Sequence, residues 1–341
     1  MEREKMSREF KAPSRADVTI IKVSPENIKT HHHYIDETAS RKSDNWYPAS
    51  TVKFVPAILA AKRLSESGFE DPDNLQITFH YAQGVQVRSW TDLIDKALRP
   101  SKNIPYNELV ILAGHKNINE FLIQHSFDIA LNKPYTKKAW KQLTGLNPAT
   151  LPDDNHTFKG CRITVKNTQT SKTVIYDAAR PGAYRLDTTR SSSCSTLGLA
   201  EFLCDFFFFN SKFKLHAAFE SSIENKMKER KSVGMENFVD AIMGQIPSSE
   251  YEVYHKPGYL NGITELDGLF VYWCDTIVLK SLNKANSYAI CAYGGEKKKI
   301  LAGIGKNTKV EKQSMLNSNY YTNTQLGISE AIGTLIKGGD I

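Results

Sequence analysis

Tyr47-Pro48-Ala49-Ser50-Thr51-Val52-Lys53 opens a long apolar helix and contains two reactive side chains, Ser50 and Lys53. Ser50 and Lys53 are three positions apart, and the 3.6-residue repeat of a helix turns both side chains to the same side. An amine then lies beside a hydroxyl at the positive end of a helix dipole, where a developing anion is stabilised. The pair predicts a serine nucleophile with a built-in base, although Ser50 by itself would also suit a helix N-cap.

The helix that follows is predicted from about Ser50 to Ser67, and Gly68 and Pro72 end it. Its apolar positions are Val52, Val55, Ile58, Leu59 and Leu64. These positions recur at helical spacing, so they indicate one buried face. Pro56 falls near the first turns and is expected to bend the helix slightly.

Two later segments place polar side chains between predicted elements. Ser101-Lys102-Asn103 follows a short amphipathic helix predicted over residues 89–98 and precedes another over about 105–112. A turn between helices can hold the hydroxyl and the amide on one side. The second segment, Tyr251 to Tyr259, begins with strand-like alternation and contains Lys256-Pro257-Gly258, and Asn261-Gly262 is a turn signal.

The remaining pattern predicts a sheet built from both ends of the chain. Ala16 to Val23 is rich in β-branched residues and predicts a strand, and a second extended segment is expected from His32 to Ala39. Near the other end, residues 269–273 and 287–293 predict two more strands after Tyr251, which together form an antiparallel meander. A closing helix is predicted over about 324–336, and residues 162–166 and 173–176 predict an inserted β-hairpin.

Composition excludes several classes of function. The chain has 341 residues, 40% hydrophobic and 24% charged, which is ordinary for a globular protein. The net charge of +7 comes from scattered basic residues, so no nucleic-acid partner is expected. No apolar run approaches the roughly 20 residues of a membrane helix. The first residues, Met1 to Lys5, lack the apolar core of a signal peptide, which fits either a cytosolic protein or loss of a leader.

Histidines and cysteines give weak signals for a metal site. His31-His32-His33 would lie on an extended chain, where adjacent side chains face opposite ways and chelate poorly. The five cysteines lack C-x-x-C spacing, so no zinc site is predicted. Cys161 and Cys194 could pair in an oxidising compartment, and five buried thiols is the alternative. We expect no metal and no cofactor.

The three motifs together resemble a known family. S-x-x-K at Ser50, S-x-N at Ser101 and K-x-G at Lys256 occur in the order found in the penicillin-recognising serine enzymes. The chain is most similar to the class A β-lactamase-like family over roughly residues 16–335. Asn107 matches that family's Asn after S-D-N, and Leu186 to Thr189 resembles the end of its omega loop. The resemblance implies an α+β fold with an antiparallel sheet from both chain ends packed against a helical lobe.

The resemblance also implies a role for each motif residue. Ser50 would be the nucleophile and Lys53 its proton acceptor, which requires a lowered pKa of the Lys53 amine. Ser101 would relay a proton to the leaving nitrogen. Asn103 would bind the substrate amide and Lys256 its carboxylate. The backbone N–H groups of Ser50 and Tyr259 would form an oxyanion hole beside Gly258.

The sequence departs from the family in two places. Pro257 in Lys256-Pro257-Gly258 replaces the usual hydroxyl residue, which removes a donor to the substrate carboxylate. No Glu lies between Glu120 and Glu201, so the omega-loop base that activates the deacylating water is not found. The carboxylates in that interval are Asp128, Asp153, Asp154, Asp177 and Asp187, and Asp187 matches a structural position. A long-lived acyl-enzyme is therefore expected.

These observations predict an N-terminal arm over residues 1–15 and a single domain over 16–341. The sheet lobe is expected at about 16–48 and 250–341, and the helical lobe at about 49–249 with the hairpin at about 160–178. The predicted function is a β-lactamase-like or D,D-peptidase-like serine hydrolase that acts on C–N amide bonds of β-lactam or peptidoglycan-type substrates. A glutaminase-type amidase and a non-catalytic penicillin-recognising sensor are the alternatives. The resemblance implies a periplasmic or secreted monomer.

Overall fold

The computed structural model describes residues 16–35, 48–81, 84–131, 161–176, 192–228, 237–264, 268–298, 320–339 and 341. The strands are β1 (Ala16–Val23), β2 (Lys29–Ile35), β3 (Leu75–Tyr81), β4 (Gly84–Ser89), β5 (Ile129–Leu131), β6 (Arg162–Asn167), β7 (Thr173–Tyr176), β8 (Ser192–Cys194), β9 (Tyr251–Thr264), β10 (Gly268–Ser281) and β11 (Ser287–Lys298). The helices are α1 (Phe54–Glu66), α2 (Trp90–Leu98), α3 (Asn103–Ala113), α4 (His115–Gln124), α5 (Thr196–Phe208), α6 (Ala217–Lys228), α7 (Asn237–Met243) and α8 (Tyr320–Gly338). Among the residues that the structure describes, short 3₁₀ turns cover Ala49–Lys53, Asn210–Lys212 and Ser248–Glu250.

A five-stranded antiparallel sheet has the order β2-β1-β11-β10-β9. It confirms the predicted α+β class with an antiparallel sheet built from both chain ends, and β1 has the predicted bounds.

The turn predicted at Asn261-Gly262 is wrong, because β9 continues to Thr264 and places Asn261 opposite Val271. Long pairing with β10 outweighs the local turn preference of an Asn-Gly pair. The second strand is Lys29–Ile35, earlier than the predicted 32–39.

One face of this sheet forms its own hydrophobic core with α7 and α8. The strands contribute alternate residues, as expected for a sheet with one buried face. The core includes Val18, Ile20, Phe238, Ile242, Trp273, Ile277, Ile290, Ile328 and Ile332. Helix α8 begins earlier than the predicted residue 324 and ends at Gly338.

The chain divides into two compact units. One comprises Met1–Ser43, Ala49–Thr51 and Val233–Ile341, and the other comprises Asp44–Pro48 and Val52–Ser232. The second unit contains α1 to α6 around an aromatic core. Phe202 on α5 is fully buried and packs edge-on against Phe127 and Phe213 at centroid distances of 5.1 Å. Trp90 Nε1 donates to Ser222 Oγ at 3.0 Å, which ties α2 to α6.

The second unit also contains a four-stranded sheet of order β4-β3-β6-β7. Strands β6 and β7 pair as an antiparallel hairpin, and β6 also pairs with β3. The hairpin of β3 and β4 was not anticipated from the sequence. A sequence signal was present, since apolar or aromatic residues at 75, 77, 79 and 81 alternate with polar residues at 76, 78 and 80.

The helix predicted from Ser50 begins later than expected. Residues Ala49–Lys53 form a 3₁₀ turn, and the α-helix starts at Phe54. Pro56 has no N–H to donate to Val52, so an α-helix through Val52 would lose a hydrogen bond at that point. Starting at Phe54 places Pro56 in the first helical turn, where N–H groups have no intrahelical partner.

Candidate active site

The 3₁₀ turn Ala49–Lys53 carries the first motif. In a 3₁₀ helix side chains at i and i+3 are eclipsed, so Ser50 and Lys53 leave the turn on the same side. Ser50 is partly exposed, whereas Lys53 is fully buried. The turn therefore contains one accessible hydroxyl and one amine that is shielded from water.

Lys53 is held by the second motif. Its Nζ donates to the carbonyl oxygen of Ser101 and, at 2.8 Å, to Oδ1 of Asn103 at the start of α3. The ring of Tyr106 lies 5.9 Å from the same nitrogen. Ser101 has a φ of 57°, a left-handed conformation that residues other than glycine adopt rarely. Non-glycine residues in this region cluster at functional sites, and here the strained turn supplies an acceptor to a buried amine.

The other face of the turn lies against β9 at Gly258. A Cβ on Gly258 would lie 2.6 Å from the backbone N of Thr51 and 2.9 Å from that of Ser50. Thr51 is fully buried and its Oγ1 donates to the Cys274 carbonyl at 3.0 Å, which fixes the turn to β10. Only a glycine permits this close backbone approach. The N–H of Ser50 is thereby brought next to the strand that contains the third motif.

Lys256 and Gly258 lie on one face of β9, because alternate strand residues point the same way. Strand β9 is at the edge of the five-stranded sheet, where a proline such as Pro257 is tolerated. Lys256 is fully buried and donates to the Pro257 carbonyl at 3.1 Å. Burial lowers the pKa of Lys256 to about 7, and the charge of Asp275 opposes that shift. The backbone of Tyr259 pairs with Trp273, and its side chain is outside the described residues.

The predicted site residues thus fall into two groups. The second unit brings Lys53, Ser101 and Asn103 into direct contact. The first unit contains Ser50, Lys256, Gly258 and Tyr259, with Ser50 and Gly258 in close approach. The two groups are linked by the covalent turn in which Ser50 and Lys53 are three residues apart.

Two buried residues next to Lys256 were missed from the sequence. His255 Nε2 lies 2.6 Å from Oδ1 of Asp275, and both side chains are buried. Burial raises the pKa of Asp275, and His255 and Lys256 oppose that rise. The sequence signal for this pair was Asp275, a charged residue within the apolar run of residues 269–279, because a buried carboxylate needs a partner.

Of the carboxylates between Glu120 and Glu201, only Asp128 lies among the described residues. Asp128 is exposed just before β5, and its carbonyl accepts from Ser195 N at 3.0 Å. Asp153, Asp154, Asp177 and Asp187 lie outside the described residues, as does the predicted omega-loop end at 186–189. The N-terminal arm predicted over residues 1–15 also lies outside the described residues.

Other sequence signals resolve into ordinary contacts. His33 Nδ1 lies 2.7 Å from Thr19 Oγ1, and its Nε2 lies 3.3 Å from Asp17 Oδ1. Within the described ranges no group of three or more metal-binding side chains is found. All five cysteines, Cys161 and Cys194 among them, are buried thiols that form no disulfide. No helix in the described part of the chain has the length and apolarity to cross a membrane.

Comparison with known proteins bears on the fold. No protein-family model and no curated protein matches the sequence. A class A β-lactamase from Bacteroides cellulosilyticus matches with a TM-score of 0.54 at 11% identity, over 96% of this chain and 94% of that chain. A β-lactamase from Burkholderia vietnamiensis matches with a TM-score of 0.51 at 13% identity, over 96% and 94%. At such identity the likeness shows a shared fold and leaves the activity to the chemistry of the site.

Proposed function

Because the chain has the class A β-lactamase fold, we propose that it is a serine hydrolase that forms an acyl-enzyme at Ser50 with β-lactam or peptidoglycan-type amides. The observation that carries this proposal is the fully buried Lys53, three residues after Ser50 and held by Ser101 and Asn103. A buried amine fixed by two acceptors is oriented for proton transfer, whereas a surface lysine is not. Lys53 takes the proton of Ser50 as the hydroxyl attacks the substrate carbonyl.

The anion formed in this attack needs donors that are already in place. We assign this role to the backbone N–H groups of Ser50 and Tyr259. The close approach of the Ser50 and Thr51 backbone to Gly258 supports the assignment. Each such donor is worth about 3–4 kcal/mol of transition-state stabilisation. Ser101 passes the proton to the leaving nitrogen. Asn103 forms a hydrogen bond with the substrate amide, and Lys256 attracts the substrate carboxylate.

Release of the acyl group is proposed to be slow. The family's omega-loop Glu has no counterpart between Glu120 and Glu201. Among the described residues of that interval, Asp128 is the one carboxylate, and its side chain is exposed. Without a base that activates water, hydrolysis of an ester at Ser50 falls back toward the uncatalysed rate. A rapid burst followed by slow turnover is the expected kinetic pattern.

The experiment is intact mass measured over time after mixing with benzylpenicillin, together with hydrolysis of a chromogenic cephalosporin. The expected result is one adduct per chain that is absent from Ser50→Ala and formed slowly by Lys53→Met. Turnover of a small amide such as glutamine without any β-lactam adduct would favour a glutaminase-type amidase instead. Ligand binding that survives Ser50→Ala, with no adduct from penicillin or a generic ester probe, would identify a non-catalytic sensor.

A further inference from the structure

One face of the four-stranded sheet in the second unit is open. On β3 the odd-numbered residues are buried and the even-numbered residues are more exposed, because alternate side chains of a strand point to opposite faces. Strand register places the even-numbered residues of β6 and the odd-numbered residues of β4 and β7 on the exposed side as well. These residues of the four strands are termed the outer face, and none of them is buried.

A row of β-branched side chains crosses the outer face at right angles to the strands. Thr78 lies opposite Val87 on one side and Thr164 on the other, and Thr164 lies opposite Ile175. Val87 and Ile175 at the ends of this β-branched row are each 48% exposed, and Val85 beside it is 57% exposed. Neighbouring strands are about 4.8 Å apart, so the row is about 14 Å long. Exposed aliphatic side chains that cluster on one face indicate a contact surface, whereas scattered ones do not.

Basic side chains border the β-branched row on both sides. Arg162 and Lys166 are exposed and lie two residues before and two residues after Thr164 on β6. With a rise of about 3.3 Å per residue, their Cα atoms are about 13 Å apart. No residue of the outer face is an Asp or a Glu. The outer face therefore combines an apolar centre with positive charge on two opposite sides.

This charge pattern decides between possible occupants. Two copies of the chain packed face to face would bring their cations together, and like charges repel. Each basic residue at an anionic membrane surface is worth about fivefold in affinity, so two of them give only about 25-fold. A protein segment with carboxylates beside an apolar surface complements both features of the outer face. The pattern thus favours an acidic protein segment.

The backbone of the occupant limits its secondary structure. The outer face offers side chains rather than backbone groups, so a segment lying on it must satisfy its own backbone hydrogen bonds. A helix does this internally, and its width with side chains is about 10–12 Å, which fits between cations about 13 Å apart. At about 1.5 Å per residue, a row of about 14 Å accommodates roughly ten residues, or three turns.

We propose that the outer face binds an amphipathic acidic helix of a partner protein. The apolar stripe of that helix lies along the β-branched row, and carboxylates on both sides of the stripe pair with Arg162 and Lys166. Binding is independent of the acylation of Ser50, so this proposal and the proposed function succeed or fail separately.

The test is fluorescence anisotropy of the full chain with a labelled, hydrocarbon-stapled helical peptide of about 14 residues as the probe. The peptide has Leu at i, i+3, i+4 and i+7 with Glu on both flanks, and a second peptide has Lys in place of each Glu. The Glu peptide should bind about tenfold or more tightly than the Lys peptide. Arg162→Gln and Lys166→Gln should each weaken binding of the Glu peptide about 1.5- to 5-fold, as expected for an exposed ion pair. Lys116→Gln, which removes an exposed cation on α4, is the matched control.

The β-branched row is tested by Val87→Glu, which places a like charge under the apolar stripe. It should weaken binding of the Glu peptide at least about tenfold. Ile123→Glu on α4 is the matched control, because Ile123 is 46% exposed in the same unit and lies outside the outer face. The double variant Arg162→Glu/Lys166→Glu should reverse the preference and bind the Lys peptide more tightly. This reversal keeps the proposal falsifiable if Val87→Glu does not fold.

The other outcomes would overturn the proposal. No saturable binding of the Glu peptide at up to about 0.5 mM protein would do so, as would equal binding of the two peptides. Equal losses in Val87→Glu and Ile123→Glu would place the contact elsewhere. Binding to phosphatidylglycerol vesicles without binding of the peptide would assign the outer face to a lipid surface. A dimer of the parent chain that Val87→Glu dissociates, seen by analytical ultracentrifugation, would make a second copy the occupant.

Discussion

Replacing Gly258 with alanine is expected to slow acylation of Ser50 while leaving most of the protein folded. The new Cβ would lie 2.6 Å from Thr51 N and 2.9 Å from Ser50 N. Non-bonded carbon contacts are most favourable at about 3.5–4.0 Å, so the turn or β9 must move by about 1 Å. These two neighbours are backbone atoms, and the nearest neighbour of all, Thr51 Oγ1, is anchored to the Cys274 carbonyl. The movement therefore disturbs the turn that carries Ser50.

Two magnitudes follow from that displacement. Overpacking of this kind typically costs about 1–3 kcal/mol of folding free energy. A misplacement of about 1 Å at a reacting group costs about 100-fold in rate, comparable to the loss of an oxyanion donor. The acylation rate is therefore the more sensitive readout, measured by intact mass with benzylpenicillin, with urea unfolding to measure stability.

Gly294→Ala is the matched control for this experiment. Its Cβ would also meet a neighbour at 2.6 Å, but that neighbour is the Trp273 ring in the core of the same unit. It should lose stability to a similar extent while keeping the acylation rate of the folded fraction. Equal rates for the two folded variants would refute the reasoning that Gly258 is required for the close approach to Ser50.

Two further predictions concern buried charges. Arg88 Nε donates to Oε2 of the fully buried Glu108 at 3.1 Å, so Arg88→Gln should destabilise by about 3–5 kcal/mol in urea unfolding. The double variant Arg88→Gln/Glu108→Gln should recover much of this loss of stability. An Arg88→Gln single variant as stable as the parent would contradict the prediction. The pKa of Lys256 is lowered from 10.5 to about 7, so the unfolded chain binds more protons between these values. The free energy of unfolding should therefore rise with pH across that interval, and Lys256→Met should abolish the part of the rise that Lys256 contributes. The same slope of unfolding free energy against pH in the parent and in Lys256→Met would contradict this prediction.

Local elements and the order of the motifs could be predicted from the sequence alone. Strand β1 has the bounds its β-branched run predicts, and Ser89 caps α2 by accepting from Asp92 N at 3.1 Å. The spacing of Ser50 and Lys53 already placed both side chains on one side of a turn. These features depend on neighbours within a few residues, for which helical and strand periods are reliable.

The contacts between distant segments could be read only from the folded chain. Asn261-Gly262 carries a turn signal, yet fourteen-residue pairing of β9 with β10 holds it extended. Nothing local to Gly258 indicates that the backbone of Thr51 lies against it, and nothing local to Asp275 identifies His255 as its partner. Close approach and buried charge depend on strand register between residues far apart in the chain, and register is fixed by the packing of the whole sheet. The two motif residues that the sequence joined, Ser50 and Lys53, therefore take their surroundings from contacts that only the folded chain supplies.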